Sequence, residues 1–144
     1  MYLTSSVFAE NEKIPEKYTC DGDNINPPLS LVDVDGGAKS VALIVDDPDA
    51  PNGTWDHWII WNISPETEEI NEDSTPQNAV VGKNSFGKND YGGPCPPSGT
   101  HRYFFRLYSL DTTIDLPKNS DKAALEQAME NHILQKAQLI GTFR

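Results

Sequence analysis

Three stretches of the chain carry side chains that can bind or move charge, and each adjoins an apolar segment. Asp46-Asp47-Pro48-Asp49-Ala50-Pro51 follows the aliphatic run Val41-Ala42-Leu43-Ile44-Val45. Carboxylates are costly inside such a run, so they mark its exit into a loop, where Asn52-Gly53 supplies a tight turn. His57 opens a second apolar segment, His57 to Ile63. The third stretch, Gly92-Gly93-Pro94-Cys95-Pro96-Pro97-Ser98-Gly99-Thr100, leads into His101-Arg102-Tyr103. Prolines and glycines at that density fix the backbone direction and let a ligand approach closely. Taken singly, these are a solvated Asp-Pro turn, a boundary histidine and a stiff loop. Taken together, they set two imidazoles, a phenol and loop carboxylates at neighbouring strand mouths, the makings of a concave site.

Three chemistries suit that set. A metal would need His57, His101, Asp47 and Asp49 to converge, yet no H-x-H or H-E-x-x-H spacing is present. A serine hydrolase would need an activated serine, and the chain has no G-x-S-x-G elbow. The third is an oxyanion pocket. Imidazole N–H, tyrosine O–H and loop N–H groups donate to a phosphate or carboxylate, while an aspartate orients one histidine. No cofactor is called for.

The elements that position these residues are mostly strands. Eleven prolines and ten glycines interrupt the 144 residues too often for a helical bundle. Ser40 to Asp46 reads as a strand buried on both faces. In His57 to Ile63, strict alternation puts His57, Ile59, Trp61 and Ile63 on one face, opposite Trp58, Ile60 and Asn62. In His101 to Tyr108, it puts His101, Tyr103, Phe105 and Leu107 together. Weaker strands are expected at Leu3 to Phe8, Pro28 to Val32 and Ile140 to Arg144. Apolar residues at helical spacing from Lys122 to Leu139 predict an amphipathic helix, with Ser120 as N-cap and Gly141 just past its end. The resulting class is mainly β, a sandwich or barrel with a helical decoration, in a single domain over residues 1–144.

Composition narrows the partners. Eleven basic against 22 acidic residues give a net charge of −11, which disfavours nucleic acid and anionic lipid as partners. The start of the chain has neither the basic nor the apolar region of a secretory signal, so a cytoplasmic protein without stable membrane association is expected. Cys20 and Cys95 form no C-x-x-C pair, and two reduced thiols are the default, with a Cys20–Cys95 disulfide as the alternative.

At these motifs the chain resembles the phosphatidylethanolamine-binding protein family, which includes the Raf kinase inhibitor proteins, and most of all its short bacterial and archaeal branch. The resemblance is carried by Tyr18 to Asn24 with Pro27-Pro28-Leu29, by Asp47 to Pro51 with His57-Trp58, and by Gly93 to Gly99 with His101 to Phe105. It implies a Greek-key β-sandwich of two antiparallel sheets and a non-enzymatic protein whose pocket binds small anions: phosphate, a phosphoryl head group or acetate. Carried over by motif, Asp47, Asp49, His57, His101 and Tyr103 are pocket residues, and Gly93, Pro96 and Pro97 form a rigid wall. It further implies homodimers and regulation of kinase signalling, or alternatively a protein kinase or serine protease partner inhibited through surface loops. Eukaryotic relatives add a C-terminal helix at the pocket, whereas this chain ends at Gly141-Thr142-Phe143-Arg144. Where the branch usually has an aromatic after Pro27-Pro28-Leu29, this chain has Leu31.

Overall fold

The aliphatic run at the middle of the sequence is also the middle of the larger sheet. The computed structural model describes residues 1–144. Eight strands run in chain order: β1 (Tyr2–Thr4), β2 (Leu29–Val32), β3 (Ser40–Asp47), β4 (Trp55–Ile63), β5 (Glu69–Ile70), β6 (Val80–Val81), β7 (His101–Leu110) and β8 (Ile133–Phe143). A single α-helix, α1 (Lys122–Met129), lies between the last two. β1, β2 and β5 form a three-stranded antiparallel sheet, and the other five strands are ordered β6-β4-β3-β7-β8. Within the larger sheet, β7 returns to pair beside β3 after β4 and β6 have been laid down, which is a Greek-key connection. The residues between β6 and β7 make that return, so the Pro/Gly-rich stretch crosses the sheet at the end where β3 stops and β4 and β7 start.

Two cores flank the five-stranded sheet. Between the sheets lie Leu3, Leu29, Leu31, Val41, Leu43, Val45, Trp58, Ile60, Tyr103, Phe105 and their neighbours. Leu31 is buried there, so no aromatic is needed at its position. On the other face, Ala42, Ile44, Ile59 and Trp61 pack against Leu125 and Met129 of α1. Full burial of side chains of this size contributes roughly 1.5–3 kcal/mol each, which is why β3 is apolar on both faces.

Four expectations need correction. The helix ends at Met129 and not at Leu139, and Ile133 to Phe143 is a strand paired along the length of β7. Its inward positions Ala137, Leu139, Gly141 and Phe143 alternate with exposed or half-buried ones, Ile133 packs against the α1-side core, and Asn131 at φ 68° breaks the chain between the two elements. The N-cap is Asp121, whose carboxylate accepts from the Ala124 N–H at 3.0 Å, and not Ser120. Asp47 does not leave the strand: it and Asp46 are both buried inside β3, and ion pairing on opposite faces offsets their desolvation. Asp46 pairs with Arg106 of β7 at 3.1 Å and with Lys122 of α1 at 3.4 Å.

The fourth correction is the pair of cysteines, which are joined as a disulfide and not left as free thiols. The link closes 75 residues of sequence, and closing a loop of that size removes about 4 kcal/mol of unfolded-state entropy in the chain-entropy treatment. Urea unfolding with and without reductant is expected to show a loss of up to about 4 kcal/mol on reduction. Thiol titration of the unreduced, denatured protein should find no free thiol; two free thiols would contradict the link.

Candidate functional site

Where β3 ends and β4 and β7 begin, the sheet opens into a cavity of about 470 Å³ lined by Asp47, His57, His101, Tyr103, Pro96 and Pro97. Trp55, Ser85, Phe86, Cys95 and the 50–54 turn complete its walls. His101 and Tyr103 reach it as expected, two residues apart on the inward face of β7.

His57 gets there by a different route. Val45 pairs with Trp58 and Asp46 with Asp56, so His57 is an extra residue in β4, a β-bulge. A second irregularity lies between the pairs Val41–Ile63 and Leu43–Ile60, where Asn62 takes φ 58°. Strict alternation therefore fails along this strand. Trp58, Ile60 and Ile63 face the inter-sheet core, while Ile59 and Trp61 face α1. Without the first bulge, His57 would share a face with Ile59 and Trp61 and point away from Tyr103. With it, the two rings stand edge to face, 5.3 Å between centroids. The backbone at the bulge is bonded from the return connection: the His57 carbonyl accepts from the Gly92 N–H at 3.0 Å and from the Asn84 amide at 3.3 Å.

Each polar side chain of the cavity has one end anchored. Nδ1–H of His57 donates to the Gly92 carbonyl at 2.6 Å, and Nδ1–H of His101 donates to Asp47 Oδ2 at 2.7 Å. The other Asp47 oxygen accepts from the Asp49 N–H at 2.8 Å. Nε2 of neither lining ring has a protein partner. Burial pushes the His57 imidazole below its ordinary range, against the pull of the Gly92 carbonyl and of Asp47, Asp56 and Asp46. Tyr103 is fully buried and its hydroxyl makes no hydrogen bond, although the Cys95 N–H is directed towards it. Burial, reinforced by Asp47, raises the phenol well above its ordinary range and keeps it a neutral donor. An orphaned buried hydroxyl is costly unless something else satisfies it.

Two of the expected residues lie elsewhere. Asp49 does not line the cavity: it is held by Arg102, whose Nε and backbone N–H both donate to Oδ2 at 2.9 Å and whose Nη2 donates to Oδ1 at 2.8 Å. Gly93 sits behind the wall, where its N–H donates to Asn24 Oδ1 at 2.8 Å and a side chain would collide with the backbone of Tyr18 and Thr19. The set His57, His101, Asp47 and Asp49 is thus not brought together, and no group of three or more His, Cys, Asp or Glu side chains converges in a metal-holding arrangement.

Several contributors carried no motif. Trp55 and Phe86 are exposed aromatics at the mouth, edge to face at 5.4 Å. Asn84 fixes the turn bearing Phe86, its Oδ1 accepting from the N–H groups of Phe86 and Lys88 at 3.0 Å each. Arg144 braces the proline wall, donating to the Pro96 carbonyl at 3.1 Å and to Asp21 at 2.7 Å, beside the two cysteines. Phe86 was open to discovery as a lone aromatic in a polar loop; Asn84 and Arg144 act through folded geometry alone.

The Arg102 hydrogen bonds hold the Asp49 carboxyl down at about 2. A depressed carboxylate stabilises the fold above its unfolded pKa of about 3.9, and that contribution is lost as pH falls towards 2. In Arg102→Ala, the Asp49 carboxyl resonance is expected to titrate closer to the ordinary carboxylate range in a carbon-detected NMR titration, with the cavity residues undisturbed. An unmoved titration midpoint would refute the clamp.

Comparison with known proteins accounts for this geometry at the level of a family. Residues 4–144 match the family described as phosphatidylethanolamine-binding protein. A UPF0098 protein of Methanothermobacter thermautotrophicus is 50% identical over 100% of this chain and 99% of its own length. A UPF0098 protein of Pyrococcus horikoshii is 48% identical over 96% of this chain and 74% of its own. Among solved structures, a phosphatidylethanolamine-binding protein homolog of Chlamydia trachomatis superposes with a TM-score of 0.96 at 42% identity, covering 99% of this chain and 96% of that one. YbcL of Escherichia coli, a member of the mammalian family, superposes at 0.92 with 30% identity, covering 99% and 97%. With its whole fold and nearly its whole length matched in this way, the chain belongs to the phosphatidylethanolamine-binding protein family.

Proposed function

We propose that the protein is a non-enzymatic binding protein whose cavity takes a small phosphoryl-bearing anion. The observation that carries this reading is the Tyr103 hydroxyl, fully buried on a cavity wall and without a hydrogen-bond partner. A phosphoryl oxygen offers the acceptor it lacks. His101 adds a second donor whenever its ring carries both protons, because Asp47 occupies Nδ1 and leaves Nε2 to the ligand. Both Asp47 oxygens already accept hydrogen bonds within the protein, and Ser85, the serine of the wall, accepts from the Asp56 N–H and has no histidine partner.

The exposed Trp55 and Phe86 rings suit an organic substituent on the phosphoryl group, which would lie across the mouth while the charged end enters. The net charge of −11 repels anions at long range, so binding rests on short-range donors and association is slow at low salt.

Calorimetric titration with inorganic phosphate at pH 6 is expected to show one site, with Tyr103→Phe weakening it about tenfold through loss of one donor. Absence of phosphate binding at millimolar concentration, or unchanged affinity in a folded Tyr103→Phe protein, would overturn the reading.

A further inference from the structure

We infer that the cavity selects oxyanions that carry a hydrogen of their own, hydrogen phosphate or a singly protonated phosphomonoester, and rejects fully deprotonated oxyanions of the same shape such as sulfate. The inference rests on the anion-pocket reading and concerns what His57 contributes to it.

The proton of the neutral His57 ring has only one place to be. A carbonyl oxygen has lone pairs and no hydrogen, so the contact between His57 Nδ1 and the Gly92 oxygen at 2.6 Å requires the hydrogen on Nδ1. In the neutral ring, Nε2 is then a lone pair. That nitrogen belongs to a side chain only 3% exposed, on the cavity wall, and no protein donor reaches it. The groups around it cannot fill the vacancy. Phe86 and Tyr103 meet the ring edge to face at 5.6 and 5.3 Å, and Asp47 has no hydrogen to give. Burial favours the neutral ring, while the surrounding carboxylates Asp47, Asp56 and Asp46 pull towards the charged one, with the net direction downward.

The cavity therefore presents one fixed donor, the Tyr103 hydroxyl, and one fixed acceptor, His57 Nε2, with His101 Nε2 able to be either. A ligand that satisfies all three needs acceptor oxygens and at least one O–H. Hydrogen phosphate has both. A phosphomonoester, whose second pKa is about 6, has both in its monoanionic form. Sulfate near neutrality has oxygens alone and would set a lone pair against the Nε2 lone pair in a buried site. Leaving that acceptor unpaired corresponds to about 10- to 100-fold in affinity.

The test compares inorganic phosphate, methyl phosphate and sulfate by calorimetry at pH 6, where about half of the ester keeps its hydrogen, at constant ionic strength. Phosphate or methyl phosphate exceeding sulfate by about 10-fold or more is expected, and the tighter of the two identifies whether free phosphate or an ester fits the mouth. His57→Asn keeps a donor for the Gly92 carbonyl and removes Nε2. It is expected to weaken phosphate about tenfold while leaving sulfate unchanged, so the ratio collapses. Long-range proton–nitrogen spectra of the unsubstituted protein should show His57 with Nδ1 protonated and Nε2 bare at pH 7, a readout independent of whether the variant folds. The sulfate deficit should narrow as pH is lowered through the titration of that ring. Equal binding of phosphate and sulfate, or a protonated Nε2, overturns the selectivity while leaving an anion site standing. Binding of none of the three overturns the anion site itself.

Discussion

One extra residue in β4 governs how the polar end of this molecule is assembled. β3 is flanked by β4 and β7, and Val45 pairs with Trp58 on one side and with Phe105 on the other. Up to that point, apart from the irregularity at Asn62, inward residues feed the inter-sheet core. Beyond it, β3 and β7 deliver Asp47, His101 and Tyr103 to a common face, and an unbulged β4 would have delivered its histidine to the opposite one. The inserted residue re-aims the side chain and leaves backbone groups unpaired in the ladder. Those groups are taken up by the connection that the Greek key obliges to pass there: Gly92 bonds the bulge carbonyl and also fixes the ring through its own oxygen. Bulge and crossing loop are thus two halves of one arrangement.

The same sheet end shows how adjacent buried carboxylates are tolerated in a strand. Asp46 and Asp47 point to opposite faces, so each meets its own partners: Arg106 and Lys122 for one, His101 and the Asp49 N–H for the other. Removal of one partner from a buried pair leaves an uncompensated charge, at about 3–5 kcal/mol. The outward pair ties α1 to the sheet, and the inward pair orients a cavity side chain. The acidic balance of the chain thereby enters the structure locally, as a scaffold for a histidine and not as a surface field.

Much of this was legible from the residues. Ser40 to Asp46 and His101 to Tyr108 are strands because β-branched and aromatic residues fill them, and the period of two correctly placed His101 beside Tyr103. Lys122 to Leu139 misled because small apolar residues in that stretch satisfy both periods, and only the folded chain shows the break at Asn131 and the pairing with β7. The bulge at His57 has no side-chain signature, since an inserted residue is defined by its partner strand. Asp49 was misplaced for a related reason: its motif puts it at the sheet end, but Arg102, one residue after His101, turns its carboxylate outward. Spacing along a chain records which residues share an element, and contacts across elements decide which of them share a cavity.

The link between Cys20 and Cys95 also has a mechanical meaning. If the chain were drawn out by its two ends, tension would pass from residue 20 to residue 95 through sulfur, bypassing the stretch between them, a sequence separation of 75. β2 to β6, with Asp47 and His57, lie inside that bypassed loop, whereas His101 and Tyr103 of β7 lie on the extensible remainder. The stressed and shielded parts of the molecule meet along two seams, between β1 and β2 and between β3 and β7, and the cavity straddles the second. Parting the second seam would separate the phenol and one imidazole from the other while the loop stayed closed.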